Sequence, residues 1–162
     1  MSEYIFETVW MVDAPIEAVW DAIVASEQWP EWWPYLERVE EVAPGDSAGR
    51  GAIRGYTWRG PLPYRLTFEI TVTKMERPVL LEGEARGDLQ GVGRWSLPEQ
   101  GRHATRVRYV WQVRTTRPWM NVLAPLARGL FTWNHDQVMR AGESGLAGYL
   151  GRRLMFGKGN RR

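Results

Sequence analysis

The sequence predicts an α+β domain: a curved antiparallel β-sheet wrapped around one long C-terminal helix, with two short helices after the first strand. Three observations lead there. Apolar and polar residues alternate with a period of two through the middle of the chain, most clearly over 63–75 and 105–115. Turn signals, Pro44-Gly45-Asp46, Gly60-Pro61 and Gly87-Asp88, separate these runs by short intervals, as in an antiparallel meander. The last third has helical periodicity, and its apolar face needs a partner as large as a sheet.

Tyr4 to Val12 is rich in β-formers (Ile5, Phe6, Thr8, Val9, Trp10, Val12) and reads as the first strand. Asp13-Ala14-Pro15 marks a helix start, with Asp13 able to accept from the first free N–H groups and Pro15 suited to the first turn. Val19, Trp20 and Ile23 recur at helical spacing up to about Ala25. Residues before proline leave the α region, so Trp29-Pro30-Glu31-Trp32-Trp33-Pro34 is not one regular helix, and a short helical turn is expected between Pro30 and Trp33.

Strands are then expected over Tyr35 to Val42 and Ala52 to Arg59. In Pro63 to Met75, Tyr64, Leu66, Phe68, Ile70 and Val72 point one way and Arg65, Thr67, Glu69, Thr71 and Thr73 the other. Val79 to Arg86 and Leu89 to Leu97 follow. One register of the former buries Leu81, Gly83 and Ala85; the other buries Glu82 and Glu84 and is disfavoured, because buried carboxylates need partners. In Thr105 to Thr115, Val107, Tyr109, Trp111 and Val113 face inward against Arg106, Arg108, Gln112 and Arg114.

Thr115 or Thr116 can cap the final helix, and Pro118 fits its first turn. Pro125 removes a backbone hydrogen bond, which predicts a short segment near Trp119 to Ala124 and a long helix from about Pro125 to Leu150. At ~100° per residue, Leu123, Ala127, Leu130, Phe131, Asn134, Val138, Ala141, Gly142, Gly145 and Tyr149 share a face, with Asp136, Arg140 and Glu143 opposite. Gly142 and Gly145 permit close approach to a neighbour, expected to be the Val19-Trp20-Ile23 face of the first helix. Asn134 interrupts the apolar face and must bond to a water, a ligand or a strand group. His135 lies on the shoulder of that face. The pattern fits one domain over 1–154 and a basic tail, 155–162.

Composition narrows the function. Ten Trp, six Tyr and four Phe exceed what a core of this size requires, so some rings are expected to line a pocket, its mouth or a surface patch. The net charge of +2 is dispersed except at the C-terminal end, without the basic stripe of a nucleic-acid binder. No cysteine is present, and His103 and His135 form no zinc pattern, so neither a disulfide nor a conventional metal site is expected. No apolar run reaches the ~18 residues of a membrane span, and Met1-Ser2-Glu3-Tyr4 is unlike a signal peptide, which makes the cytoplasm the expected location. No dinucleotide, phosphate-loop or Ser-His-Asp pattern occurs, and no cofactor is expected.

The order of elements resembles the helix-grip fold of the START-like, or SRPBCC, superfamily. Ala14-Pro15-Ile16-Glu17-Ala18-Val19-Trp20-Asp21-Ala22 is similar to its first-helix signature. Trp58-Arg59-Gly60, Leu62-Pro63-Tyr64, Gly87-Asp88-Leu89-Gln90-Gly91, Gly93-Arg94-Trp95, Pro118-Trp119-Met120 and Trp133-Asn134-His135-Asp136-Gln137-Val138-Met139 resemble the polyketide cyclase/dehydrase-like subgroup. The resemblance implies a lipid carrier, a sensor, or a cyclase or dehydratase-type enzyme. In the enzyme case Asn134, His135 and Arg54 would be the polar groups at work.

The inward-facing sets predict a cavity lined by Tyr64, Leu66, Phe68, Ile70, Trp95, Tyr109, Trp111, Phe131 and Asn134, suited to a flat aromatic or an acyl chain. Arg54, Tyr56 and Trp58 share one strand face: inward, Arg54 is a buried cation for a carboxylate or enolate; outward, a surface arginine. Trp29, Trp32 and Trp33 have three readings: packing under the helix end, forming the pocket mouth, or meeting a membrane or partner. The leading expectation is binding of a hydrophobic or aromatic small molecule, lipid or polyketide-like. A cyclase/dehydratase-type enzyme and a ligand-free interaction module are the alternatives.

Overall fold

The computed structural model describes residues 3–98 and 103–159, with side chains described as far as Arg153. Seven strands form one antiparallel sheet: β1 (Glu3–Val12), β2 (Leu36–Ala43), β3 (Ile53–Trp58), β4 (Leu66–Glu76), β5 (Leu80–Gly87), β6 (Leu89–Ser96) and β7 (Thr105–Thr115). Their spatial order is β1-β7-β6-β5-β4-β3-β2. The chain therefore makes a six-strand meander from β2 to β7, and β1 closes against the last strand, Glu3 opposite Arg114 through Val12 opposite Thr105. Helix α1 (Ile16–Val24) and a 3-10 turn (Ser26–Glu31) follow β1, and helix α2 (Pro118–Gly159) ends the described chain. The helix-grip arrangement is the one anticipated.

The alternation holds along β7 and through the first half of β4, before a register shift between Val72 and Lys74: Phe68, Val107, Trp111 and Val113 are buried while Glu69, Arg106, Arg108, Gln112 and Arg114 are exposed. In β5 Gly83 and Ala85 are buried and Glu84 is exposed, so the register that spares the carboxylates is adopted. In β1 the even-numbered residues Tyr4, Trp10 and Val12 turn inward, and Ile5, Val9 and Met11 face solvent.

Local starts and stops differ in several places. Helix α1 begins with Val19 N–H donating to the Pro15 carbonyl, Pro15 itself is the N-cap, and no side chain caps it; Asp13 does not take that role. The 3-10 turn lies earlier than expected, over Ser26–Glu31 with Pro30 inside it, because its shorter i→i+3 repeat can absorb a proline late in the turn. Thr115 is not the cap of α2 either; its hydroxyl accepts from Arg117 N–H at 3.2 Å, one step ahead of Pro118 at the first helical position.

Pro125 does not divide α2, which is one helix from Pro118 to Gly159. Pro125 sits on the exposed side, where the helix can bend slightly around its ring. The buried stripe is also rotated from the one predicted. Met120, Ala124, Phe131, Asn134, Met139, Gly142, Leu146, Tyr149 and Leu150 face inward, whereas Leu123 and Leu130 are 43% and 51% exposed. The segment from Trp119 to Trp133 is apolar nearly all round, so periodicity alone does not say which flank is inside. Its outer flank leaves Val122 and Leu126 largely in solvent. Among the described residues no helix is long and apolar enough to cross a membrane.

The C-terminal half of α2 is seated on the Trp32–Trp33 corner rather than chiefly on the Val19-Trp20-Ile23 face of α1. A Cβ at Gly145 would lie 1.7 Å from the Trp32 carbonyl oxygen, and one at Gly142 2.5 Å from the Trp33 indole. The Trp33 indole N–H donates to the Val138 carbonyl at 2.8 Å, and that of Trp29 to the Ala22 carbonyl at 2.9 Å. All three tryptophans of the cluster are at least nine-tenths buried. Packing under the helix end is thus their arrangement, and a tryptophan patch open to a membrane or partner is overturned. Around them Val19, Ile23 and Leu146 are essentially fully buried, each contributing about 1.5–3 kcal/mol.

Replacing Gly145 tests this seat. In an open helix Gly→Ala gains about 0.5–1 kcal/mol, which is the expected result for Gly129→Ala, where nothing lies within 4 Å. At Gly145 the added methyl meets backbone, and a net loss of about 1–2 kcal/mol is expected. Thermal denaturation of the two variants should show opposite shifts.

Candidate functional site

Between the concave sheet face and the first half of α2 lies a cavity of about 150 Å³. Strand register builds its floor. Tyr56 of β3 pairs with Phe68 of β4, Trp58 with Leu66, and Trp95 of β6 with Tyr109 of β7. Each pair projects two rings or a ring and an aliphatic chain to the same face. Tyr109 stacks on Trp95 with centroids 4.1 Å apart; Trp111 continues the row to Phe68 at 5.6 Å, and Phe68 to Tyr56 at 6.1 Å. Trp29 and Trp33 close one end beneath the helix seat, and Met120, Phe131, Val138 and Met139 of α2 form the roof. The rings support one another edge and face, which holds the walls apart.

Part of the lining is polar. The 59–65 segment between β3 and β4 passes under α2 and is tied to it by Asn134. Leu62 N–H donates to Asn134 Oδ1 at 3.1 Å, and Asn134 Nδ2 donates to the Tyr64 hydroxyl at 3.3 Å. Asn134 thus finds its partners in a loop backbone and a phenol. Gly60 makes the passage possible, since a Cβ there would meet the Asn134 amide at 2.6 Å. Tyr4 and Phe6 of β1 stack at 5.6 Å, and Phe6 stacks on His135 at 3.9 Å.

Burial shifts every titratable group lining this cavity in the direction that keeps it uncharged. Desolvation lifts the Tyr64 phenol to about 12, with Tyr4 adding to the shift. The same cause raises Tyr109, and it raises Tyr56 against an opposing hydrogen bond to Ser26. Tyr4 is raised by burial, partly offset by Arg128, whose guanidinium stands 4.4 Å from the Tyr4 ring centroid. His135 is held down to about 4 by burial. The Asp136 carboxylate 3.9 Å from its Nδ1 is too distant for a hydrogen bond and more than half exposed, so desolvation prevails.

Of the residues expected at the site, Tyr56, Trp58, Tyr64, Leu66, Phe68, Ile70, Trp95, Tyr109, Trp111, Phe131, Asn134 and His135 line this one cavity. Arg54 does not. It lies opposite Ile70, which borders the cavity, but its own side chain turns to the α1–turn junction. There Glu27 accepts from its Nε at 2.8 Å, and the Val24 carbonyl and Ser26 hydroxyl accept from Nη1 at 3.1 and 3.2 Å. A partly buried cation is favoured by such partners, so Arg54 is not a free anion receptor. It borders a second void of about 40 Å³ that shares the Trp29, Tyr56, Ile70, Trp95 and Tyr109 walls. Among the described residues no group of three or more His, Asp or Glu is placed to hold a metal ion.

Tyr4, Phe6, Met120 and Met139 belong to the lining and were not anticipated. The even-residue parity of β1, with Tyr4, Phe6, Trp10 and Val12 in step, carried the signal for the first two. The methionines follow from the rotated face of α2.

The fold and this enclosed, ring-lined space define the protein's class. Residues 5–147 match the family described as polyketide cyclase/dehydrase and lipid transport, and the chain belongs to that family. Among solved structures it is similar to the Zhui aromatase/cyclase from Streptomyces sp. R1128, at 15% identity and a TM-score of 0.78 over 94% of this chain and 96% of that one. A START superfamily protein from Mycobacterium smegmatis aligns at 16% identity with a TM-score of 0.72, over 91% and 97% of the two chains. Norcoclaurine synthase from Thalictrum flavum aligns at 11% identity with a TM-score of 0.64, over 94% and 96%. At these identities the likeness is one of fold. A search of curated proteins finds no match.

The state of His135 has a consequence for stability. Its folded pKa, about 4 against an ordinary value of 6.5, means that the unfolded chain binds the extra proton first on acidification. The neutral-histidine contribution is present above pH 6.5 and is lost as pH falls toward 4, on the order of 2–3 kcal/mol. His135→Gln is expected to flatten the stability profile across that window in urea denaturation series. An unchanged slope would show that His135 is not a buried neutral imidazole.

Proposed function

We propose that the protein binds a hydrophobic small molecule of one or two rings, or an acyl group of similar bulk, in the cavity between sheet and α2. The observation that carries this reading is an unfilled space of about 150 Å³ walled by aromatic and aliphatic side chains. Apolar cavities of about this volume stay dry and accept benzene or xenon. Burial of a guest's apolar surface supplies the affinity at about 25 cal/mol per Å². A long lipid or a multi-ring polyketide exceeds this volume and would need the 59–65 segment or α2 to move.

Membership of a family named for both cyclases and lipid transport leaves carrier and catalyst as the candidate roles. The cavity's titration favours holding over proton transfer. General acid–base catalysis works best with groups poised near the working pH; Tyr64 at about 12 and His135 at about 4 are far from it, and Arg54 is engaged elsewhere.

Trp29, Trp33, Trp58, Trp95 and Trp111 line the cavity, so occupancy reports itself. Titration with a library of small apolar rings and short acyl compounds is expected to give a saturable change in tryptophan emission and a raised melting temperature for at least one member. A folded protein that responds to none, and that carries no copurifying compound in native mass spectrometry, would contradict the proposal.

A further inference from the structure

Resting on that reading of the cavity, we infer that the guest is an uncharged ring compound carrying one hydrogen-bonding group, a hydroxyl, carbonyl or carboxamide, seated against Tyr4 or His135. Two independent features of the wall point there.

The first is charge. None of the residues lining the cavity is Asp, Glu, Lys or Arg. Two arginines that adjoin lining residues are engaged elsewhere: Arg54 with Glu27, Val24 and Ser26, and Arg128 with the Glu3 carbonyl and the face of the Tyr4 ring. A carboxylate or ammonium taken into this space would leave water with no partner of opposite sign, which is strongly unfavourable. A fatty-acid or amino-acid headgroup is therefore excluded from the interior.

The second is a pair of unmet hydrogen-bonding groups. Among the described residues four buried side-chain polar atoms have no partner: Tyr4 Oη, His135 Nδ1, Trp10 Nε1 and Trp32 Nε1. The indoles belong to the core beneath the helix seat, whereas Tyr4 and His135 line the cavity and each stacks on Phe6, at 5.6 and 3.9 Å. Tyr4 is only 5% exposed. A buried polar atom without a partner calls for an explanation, and a ligand group reaching either atom is one that fits. A phenol donates and accepts; a neutral imidazole offers one nitrogen of each kind. Either atom matches a hydroxyl or carboxamide that both accepts and donates, and Tyr4 also matches a carbonyl that accepts from it.

Shape-matched probes separate these claims: p-xylene and p-cresol differ by a methyl against a hydroxyl, benzamide and benzoate by charge. Each is titrated into the full chain at pH 7 with calorimetric or NMR detection. Benzamide is expected to bind at least roughly tenfold more tightly than benzoate. Tyr4→Phe removes only an unpartnered hydroxyl and keeps the ring, so the variant folds; it is expected to weaken p-cresol by roughly three- to tenfold and leave p-xylene nearly unchanged. His135→Phe, which keeps the stack on Phe6, is expected to act in the same direction. Equal binding of benzamide and benzoate overturns the exclusion of charge. Equal loss for p-cresol and p-xylene, or none for either in both variants, overturns the polar seat while leaving the cavity reading in place. Absence of binding by all four probes defeats the cavity reading itself, and this inference with it.

Discussion

The seat of α2 on the Trp32–Trp33 corner fixes everything that lies between helix and sheet. Two glycines one turn apart bring the helix backbone down onto the corner, and the Trp33 indole N–H takes the Val138 carbonyl there. The contact is backbone against backbone at Gly145, so it has little freedom to slide. Asn134 fastens the 59–65 segment to the same helix one turn away. The space is bordered by these directional contacts, and its walls are rings braced against rings. Close packing elsewhere, with Trp10, Trp20 and Leu146 fully buried, makes the gap a local feature of a dense core.

Chemistry follows from that enclosure. Desolvation drives His135, Tyr64 and Tyr109 toward their neutral forms, and Arg54 and Arg128 have partners of their own. What remains inside is an apolar surface with a few neutral hydrogen-bonding groups gathered at the β1–α2 end. Such a wall suits recognition by shape and by placement of one polar group, the mode small-molecule sites generally use.

Much of the fold was legible because sheets and helices announce themselves by period. The alternation in β4 and β7 named the inward rings correctly, and those rings are the cavity floor. The unfavourable burial of Glu82 and Glu84 was enough to choose the β5 register. Legibility failed where pattern carries no direction. Trp119 to Trp133 is apolar on nearly every side, so its inner flank is decided by what the sheet presents, and Leu123 and Leu130 fell outside while Met120 and Met139 fell inside. Pro125 was read as a break because its cost is local, whereas its exposure, which lowers that cost, is a tertiary fact. Arg54 faced the right way but met partners from α1 and the turn after it, residues distant in sequence. The glycines of α2 signalled a close approach; that the neighbour was the tryptophan corner depended on where the 3-10 turn ended.

The central claim is that helix and sheet leave an apolar cavity between them. Diffraction from crystals of the protein pressurised with xenon tests it most directly. The account predicts a strong xenon peak among Phe68, Trp111, Phe131 and Met139 with no movement of the Trp32–Trp33 corner. Crystals that hold no xenon there, because side chains fill the region, would contradict it.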